Sequence, residues 1–291
     1  MGIAKWLLSA AFMLPVVALA DRAPIPLDYN RQVPTPIYGV TLDDVGRINR
    51  TVESLANLAK VPTTRVVFDE YQPASEYVTP VVKIRPVSYV MGELLDSFYV
   101  KRYSVQAYTN RSVEYLSTLG NYVDIWEIGN EINGEWLGPT PDVVAKLTSA
   151  YNIFKSAGKP VAITLYYNKN CWSKKSNEMF TWTKNNIPDN IKQNTDYILV
   201  SYYEEDCNNL KPDWQSVFTE LHTIFPNSKL GFGEVGTSKK AKKEEYLLRY
   251  YSIKPNVPNF VGGYFWWYFK QDMVPYTKDL WNTLNNAFIQ Y

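Results

Sequence analysis

Three glutamates lie four residues apart in the stretch VDIWEIGNEINGEWLG, residues 123–138. A spacing of four would place Glu127, Glu131 and Glu135 on one face of a helix, as a solvated acidic stripe. The apolar run that precedes them favours another structure, because it is rich in β-branched and aromatic side chains and is typical of a buried strand. Glu127 then belongs to the strand, Glu131 follows its carboxyl end and Glu135 lies in a loop. The three carboxylates are therefore predicted to differ in role.

Few other side chains offer acid–base chemistry. The chain has one histidine, His222, in the helical pattern FTELHTIF, and two cysteines, Cys171 and Cys207. The cysteine spacing fits neither a zinc cluster nor a Cys-x-x-Cys motif. This argues against histidine-based triads and zinc hydrolysis, so we expect no metal and no cofactor. Proton transfer would fall to carboxylates or tyrosines.

Composition indicates the class of partner. The 291 residues include 23 Tyr, 9 Trp and 12 Phe, more than a core requires. Aromatic faces flanked by polar groups are typical of carbohydrate-binding clefts, although exposed aromatic side chains also mark protein interfaces. Without residues 1–20 the chain carries 29 basic and 29 acidic side chains. This balance argues against nucleic acid or an anionic membrane as the main partner.

The amino terminus is typical of an export signal. Residues 1–20 combine a lysine, an apolar stretch and a small-x-small Ala-Leu-Ala ending. The apolar stretch is short for a membrane helix, which needs about 20 residues, and a retained anchor is the alternative. We expect a signal peptide over 1–20, an amino-terminal segment over 21–36 and one domain over 37–291. The mature chain is predicted to be exported, secreted or periplasmic, monomeric and without membrane attachment.

The domain alternates β-rich runs with amphipathic ones. Eight strands are predicted, over Ile37–Leu42, Thr64–Asp69, Tyr89–Leu95, Val123–Gly129, Pro160–Tyr167, Tyr197–Tyr203, Lys229–Glu234 and Val261–Phe269. Helices are predicted over Asp44–Leu58, Ser104–Leu119, Pro141–Ala157, Asp213–Phe225, Lys242–Tyr251 and Lys278–Ile289. This order and length indicate an α/β fold, a single (β/α)8 TIM barrel of about 250 residues. A doubly wound open sheet competes, but no Gly-x-Gly-x-x-Gly follows the first strand.

The third strand is the least distinct element. Within residues 71–103, the run VVKIR could itself form a strand, and the alternative is YVMGELL. We place the third strand at YVMGELL.

Chemically useful side chains follow the predicted strand ends. In such a barrel the active site is built where the strands end. These positions hold Asp69, Glu70, Asn130, Glu131, Tyr166, Tyr167, Asn168, Tyr202, Tyr203, Glu234, Trp266, Trp267 and Tyr268. Two carboxyl groups, hydroxyl-binding amides and flat aromatic faces are what glycoside hydrolysis needs.

Two motifs resemble those of a known group of enzymes. WEIGNE at the end of the fourth strand and GFGEVG at the end of the seventh resemble the glycoside hydrolase clan A pattern, over a barrel of roughly residues 35–291. In that clan an Asn-Glu pair after strand four supplies the acid/base, and a Glu after strand seven the nucleophile. The resemblance implies that Glu131 is the acid/base and Glu234 the nucleophile. It also implies that Asn130 binds the sugar 2-hydroxyl.

The resemblance extends to side chains around the reacting sugar. It implies that Tyr202, with Tyr203 as the alternate, holds the nucleophile, and that Trp266 or Trp267 lies under the sugar. Arg65, in TTRVVFD, matches an arginine that orients the nucleophile; a structural arginine at the strand start is the alternative. The histidines of family 5 have no counterpart here, so the resemblance is to the wider clan.

The predicted function is that of an exported retaining β-glycoside hydrolase acting on a polysaccharide or oligosaccharide. A catalytically inactive carbohydrate-binding barrel is one alternative, although such a protein would have no need of both glutamates. A lyase or aldolase is another, but it would need a Schiff-base lysine or metal carboxylates. Only Lys83 and Lys270 lie near strand ends, and neither belongs to an evident constellation.

The two cysteines are predicted to pair. Cys171 follows the fifth strand by a few residues, and Cys207 follows the sixth similarly. Adjacent strands of a barrel have adjacent loops, so we expect a disulfide that closes a loop of about 36 residues and braces the cleft rim. Two free thiols are the alternative.

Overall fold

The computed structural model describes residues 25–28 and 31–291, so the predicted signal peptide lies outside the described residues. The strands are β1 Ile37–Leu42, β2 Thr63–Val67, β3 Tyr89–Glu93, β4 Ile125–Gly129, β5 Val161–Tyr166, β6 Tyr197–Tyr202, β7 Lys229–Val235 and β8 Phe260–Trp266. The helices are α1 Ile48–Ala56, α2 Val78–Ile84, α3 Val105–Leu119, α4 Thr140–Ser156, α5 Met179–Asn186, α6 Asp189–Asn194, α7 Trp214–Ile224, α8 Lys243–Tyr251, α9 Phe269–Met273 and α10 Asp279–Gln290.

The eight strands close into a barrel in sequence order. Each strand pairs in parallel with the next, and β8 pairs with β1. At least one helix follows every strand. The predicted single (β/α)8 barrel is therefore confirmed. Within the described ranges, no helix is both long and apolar enough to cross a membrane.

Element boundaries differ from the predictions mainly in the short helices. The third strand lies where we placed it, and the competing run VVKIR forms the end of α2, with Arg85 as its C-cap. The helices α2, α5, α6 and α9 were not predicted; they span five to eight residues. Helices of two turns or fewer show too little periodicity to be recognised in a sequence.

The barrel interior changes character along its axis. Its lower half, towards the amino termini of the strands, is apolar and includes Met91, Ile125, Ala162, Leu199 and Phe265. The upper half is polar and charged. The outer face of the sheet packs against the helices in a second, larger apolar cluster. Because both faces are covered, every residue of β4 and β6 is buried, as is usual for parallel strands.

Two register shifts set the direction in which the candidate catalytic side chains project. The β6–β7 pairing jumps from Val200–Phe232 to Ser201–Glu234, which leaves Gly233 as the extra residue. A Cβ on Gly233 would lie 2.8 Å from Cβ of Leu199, so a side chain has no room there. A similar shift follows Glu127 on β4. Bulges re-aim side chains near active sites, and here they precede Glu131 and Glu234.

Candidate active site

Arg65 is the centre of a buried charge cluster at the upper end of the barrel. The side chain projects from β2 and is fully buried. Its Nε and Nη2 donate to Glu127 at 2.6 and 3.0 Å. Nη2 also lies 3.0 Å from Oε2 of Glu93, and Nη1 lies 3.1 Å from Oε2 of Glu234. One guanidinium therefore serves three carboxylates, from β3, β4 and β7.

Glu127 is the most completely bonded of these carboxylates. Besides the two Arg65 donors, Oγ1 of Thr164 donates to Oε1 at 2.6 Å and Nδ2 of Asn130 donates to the same oxygen at 3.3 Å. Glu127 is 1% exposed. Glu127 therefore holds the Arg65 guanidinium in place.

Glu234 lies near the end of β7, where it can be reached from the mouth. Its residue is 7% exposed. The hydroxyl of Tyr203 donates to Oε1 at 2.6 Å, while Oε2 faces Arg65. This carboxylate is therefore held by a phenol and a cation.

Glu131 has a different environment. It follows β4 with a left-handed backbone, φ 47°, and is 8% exposed. The hydroxyl of Ser201 donates to its Oε1 at 2.6 Å, and the hydroxyl of Ser97 donates to its Oε2 at 2.8 Å. Its oxygens accept from neutral hydroxyls, whereas Glu234 faces a cation.

Glu131 and Glu234 lie at the same level of the mouth. Ser201, which binds Glu131, is the register partner of Glu234 across β6 and β7. Neighbouring strands are about 4.8 Å apart. The two carboxyl groups are thus connected by the Ser201–Glu131 hydrogen bond and by the spacing between β6 and β7.

Asn130 is fixed between both parts of the site. Its Oδ1 accepts from the backbone N–H of Ser97 at 2.9 Å, and its Nδ2 donates to Glu127. The indole of Trp136 donates to the hydroxyl of Ser97 at 3.0 Å. Ser97 therefore organises Asn130, Glu131 and a rim tryptophan at once.

Of the two tyrosines after strand six, the structure brings Tyr203 to the site and leaves Tyr202 away from it. Tyr202 is fully buried against Tyr167 and Trp214, and its hydroxyl donates to the carbonyl of Leu210. Side chains alternate between the two faces of a strand, so consecutive tyrosines cannot both face the mouth. Tyr202 packs outside the barrel, and the alternate, Tyr203, holds Glu234.

The two tryptophans at strand eight separate in the same way. The Arg65 guanidinium carbon lies 5.6 Å from the ring centre of Trp267, which puts this indole at the mouth. Trp266 is fully buried, and its Nε1 donates to Asp272 at 3.1 Å. Trp266 therefore cannot stack on a substrate.

Burial governs the ionisation of both candidate carboxyls. It raises the pKa of Glu131, against the lowering effect of hydrogen bonds from Ser201 and Ser97. It also raises the pKa of Glu234 to about 8, against the lowering effects of Arg65 and Tyr203; a charged Glu131 adds to the rise. Repulsion from Glu131 raises the pKa of Glu234 only while Glu131 is ionised. When Glu131 carries a proton, Arg65 favours an ionised Glu234.

A disulfide and hydrogen bonds tie together the loops after strands four to six. Cys171 and Cys207 form a disulfide with a sequence separation of 36, which confirms the predicted pair. Glu135 accepts from the backbone N–H groups of Ser173 and Lys174 at 2.7 and 2.6 Å. The third of the spaced glutamates therefore pins the loop that carries the disulfide.

Sequence reasoning missed four residues of the site: Glu93, Ser97, Thr164 and Ser201. Glu93, Thr164 and Ser201 lie on strands, and Ser97 lies in the segment that follows β3. Glu93 had an available signal, because it is a charged residue within the otherwise apolar third strand, and buried unpaired charges are costly. The serines and threonine had none, since small hydroxyl residues are common on any strand.

Two cavities lie away from this cluster. One, of about 520 Å³, is at the lower end beside Arg31 and Asp124. The other, of about 570 Å³, lies beside α5 and α7 and includes Trp172. Neither is lined by Glu131 or Glu234. No group of three His, Cys, Asp or Glu residues suited to a metal ion occurs within residues 25–28 and 31–291.

Comparison with known proteins establishes the fold. No family model matches the chain, and no curated protein matches it. Among solved structures, Saccharomyces cerevisiae Gas2p in complex with laminaritriose and laminaritetraose is 13% identical, with a TM-score of 0.57. The match covers 88% of this chain and 64% of that one. Gas2p in complex with laminaripentaose is 14% identical, with a TM-score of 0.55, and the match covers 88% of this chain and 65% of that one. The chain thus spans about two thirds of these neighbours and shares their barrel fold.

Proposed function

We propose that the protein is an exported retaining β-glycoside hydrolase that cleaves a polysaccharide or oligosaccharide by double displacement. The observation that carries the proposal is the unequal environment of two carboxyl groups at one mouth. Glu234 faces Arg65 and Tyr203, whereas Glu131 faces two serine hydroxyls. A retaining mechanism needs this inequality, because one group must be ionised while the other carries a proton.

In the first step, Glu234 attacks the anomeric carbon while Glu131 protonates the leaving oxygen. Retaining enzymes hold the two carboxyl groups about 5 to 5.5 Å apart. The connection through Ser201 supports a separation in this range. Arg65 favours the charged form of Glu234 before attack, and the Tyr203 hydroxyl orients the same carboxylate.

In the second step, Glu131 removes a proton from water, which attacks the glycosyl–Glu234 ester. The negative charge on Glu234 disappears when the ester forms, so its repulsion of an ionised Glu131 is removed and the pKa of Glu131 falls. Glu131 gave its proton to the leaving group in the first step, so it is ionised and can act as the general base. Asn130 and Trp267 line the position of the sugar, as a hydrogen-bonding amide and a flat apolar face.

The first substrates to test are β-1,3-linked glucose oligomers. The Gas2p structures contain laminari-oligosaccharides, and the shared barrel brings this substrate class to the present chain as a proposal. The disulfide supports export, because disulfides persist in oxidising compartments.

Proton NMR of the first-formed product tests the reaction type. The protein is incubated with laminari-oligosaccharides and with β-1,4-linked cello-oligosaccharides, and the anomeric signals are followed from the earliest time. Retention predicts that the β anomer appears first and later equilibrates. A first product of α configuration would contradict double displacement, and binding without any cleavage across a broad panel of glycosides would favour the inactive carbohydrate-binding barrel.

A Glu131→Ala variant tests the role of the acid. Substrates with poor leaving groups should lose about 10²- to 10⁴-fold in kcat/KM, the usual contribution of a positioned acid. Aryl glycosides with good leaving groups need little protonation, so their turnover should persist. It should rise when azide is added, because azide attacks the glycosyl–Glu234 ester in place of water and needs no general base. Glu135→Gln is the matched control, because Glu135 is four residues away and bonds to loop backbone. If Glu135→Gln lost activity as fully, the assignment of Glu131 would be wrong.

A further inference from the structure

Glu93 is a buried carboxyl that the proposed mechanism does not use. It ends β3 and is 0% exposed. Neither of its side-chain oxygens has a hydrogen-bond partner, although Oε2 lies 3.0 Å from Nη2 of Arg65. A buried ionised carboxylate without hydrogen bonds is among the most costly arrangements in a protein.

The charges around Arg65 do not balance if every carboxyl is ionised. Glu93, Glu127 and Glu234 all contact this single cation. Asp96, after β3, adds a further acidic group to the surroundings of Glu93. Three buried carboxylates around one guanidinium would carry an excess of two negative charges. Desolvated like charges this close share a proton.

The hydrogen bonds decide which carboxyl holds that proton. Glu127 accepts from four donor atoms, which stabilise its ionised form. Glu234 accepts from the Tyr203 hydroxyl and faces Nη1 of Arg65. Glu93 has only the contact with Nη2, and Nη2 is already committed to Glu127. The least stabilised negative charge is therefore on Glu93.

We propose that Glu93 is a positioning residue that carries a proton during catalysis and so leaves the Arg65 charge to Glu127 and to the nucleophile Glu234. The inference rests on the proposed function for its catalytic meaning, but the protonation state of Glu93 does not depend on activity. Burial is the main cause that raises the pKa of Glu93 well above its ordinary value, and Glu127, Asp96 and Glu234 add to the rise while Arg65 opposes it.

Loss of the proton would disturb the nucleophile. An ionised Glu93 would attract Arg65 away from Glu234 and would raise the pKa of Glu234 by direct repulsion. The charged groups that face Glu93 are Arg65 from β2, Glu127 from β4, Glu234 from β7 and Asp96. Tyr108 on α3 is also close, but its phenol stays neutral because burial raises its pKa. Activity should therefore fall when Glu93 ionises at alkaline pH.

Infrared spectroscopy detects the proton directly. The carbonyl stretch of a protonated carboxyl is resolved from the bands of a carboxylate, so spectra at neutral pH are compared for wild type, Glu93→Gln and Glu135→Gln. We expect Glu93→Gln to lose one protonated-carboxyl band and Glu135→Gln, the matched control outside the cluster, to retain it. A Glu93→Gln spectrum that keeps every protonated-carboxyl band of the wild type would overturn the proposal.

A second variant keeps the test valid if Glu93→Gln does not fold. Glu131→Gln removes the other proton-bearing carboxyl, and a protonated-carboxyl band should persist in it at neutral pH. Complete absence of such a band would overturn the proposal. Because this measurement needs no turnover, an inactive protein that shows the Glu93 band would refute the proposed function but leave the protonation of Glu93 established.

The pH profile gives the catalytic readout. An aryl glycoside with a good leaving group makes kcat/KM nearly independent of Glu131, so an alkaline fall reports Glu93. In Glu93→Gln this fall should move up by about one pH unit or more, since glutamine cannot ionise. A purely structural role would lower kcat/KM equally at all pH values, and parallel profiles would overturn the proposal.

Discussion

The barrel contains a buried arginine–carboxylate cluster at each end, and the two clusters have opposite charge balances. At the lower end, Asp124 accepts from Nε of Arg31 at 2.9 Å and forms a second, short contact with its Nη2, while Arg85 lies 3.8 Å away. Backbone carbonyls accept further hydrogen bonds from both arginines. There, two cations surround one carboxylate.

The upper cluster reverses this ratio, since Arg65 serves three carboxylates and Glu93 has unpartnered oxygens. The lower cluster has more cations than carboxylates, so it contains no second carboxylate with which Asp124 could share a proton. In the upper cluster, which has more carboxylates than cations, the carboxyl groups share a proton. This cluster lies at the mouth, beside Glu234 and Glu131. The difference separates a structural ion pair from a candidate catalytic one.

The largest expected effect comes from removing the cation at each end. Arg65→Met should lower kcat/KM on the order of a thousandfold, as loss of a preorganised charge does at other active sites. Arg31→Met should instead lower the free energy of unfolding by about 3 to 5 kcal/mol, the usual cost of breaking a buried ion pair. Steady-state kinetics and chemical denaturation of both variants measure the two effects. Equal losses of kcat in two folded variants would remove the distinction between the ends.

The next effect concerns two neighbouring tyrosines. Tyr203→Phe removes the hydrogen bond to Glu234 and should lower kcat about tenfold to a hundredfold. Tyr202→Phe removes a hydrogen bond to the Leu210 carbonyl and should cost about 1 kcal/mol of stability, with kcat nearly preserved. Kinetics and thermal melts of the pair measure this. The opposite pattern would mean that Tyr202 is the functional tyrosine.

These pairs show how far the sequence predicts the molecule. The apolar runs that any parallel barrel must have predict the strand order. They also predict that Glu131 and Glu234 lie at strand ends. The choice between Tyr202 and Tyr203, or between Trp266 and Trp267, depends on which face each residue presents at the strand end. A bulge of one residue reverses that face, and no sequence pattern marked the shift between Gly263 and Trp266 on β8 or the one at Gly233 on β7.

The disulfide should affect stability more than chemistry. It braces loops at the upper end, far from Arg31. Replacing Cys171 and Cys207 with serine should reduce the free energy of unfolding by about 3 to 4 kcal/mol for a loop of this length. We expect kcat to change less than KM, because the loops line the cleft and do not hold the carboxyl groups. Denaturation and kinetics of the double variant test this, and an unchanged unfolding midpoint would contradict it.

The pH dependence of stability should show the excess carboxylate of the upper cluster. Burial raises the pKa values of Glu93 and Glu131 above the ordinary value, so the folded protein keeps protons that the unfolded chain releases. Stability should therefore decrease as the pH rises above about 5, by up to about 1.4 kcal/mol per pH unit for each such carboxyl. Denaturation at several pH values measures the slope. Glu93→Gln should flatten it, while an unchanged slope would place the extra proton elsewhere.

The central claim, that Glu234 is the nucleophile of a retaining glycosidase, is tested most directly by trapping the covalent intermediate. The protein is incubated with a fluorinated glycoside that has a good leaving group, digested and analysed by mass spectrometry. The account predicts one glycosyl group attached to Glu234, and none in a Glu234→Ala variant. A label on Glu93, Glu127 or Glu131, or turnover with inversion and no label, would contradict it.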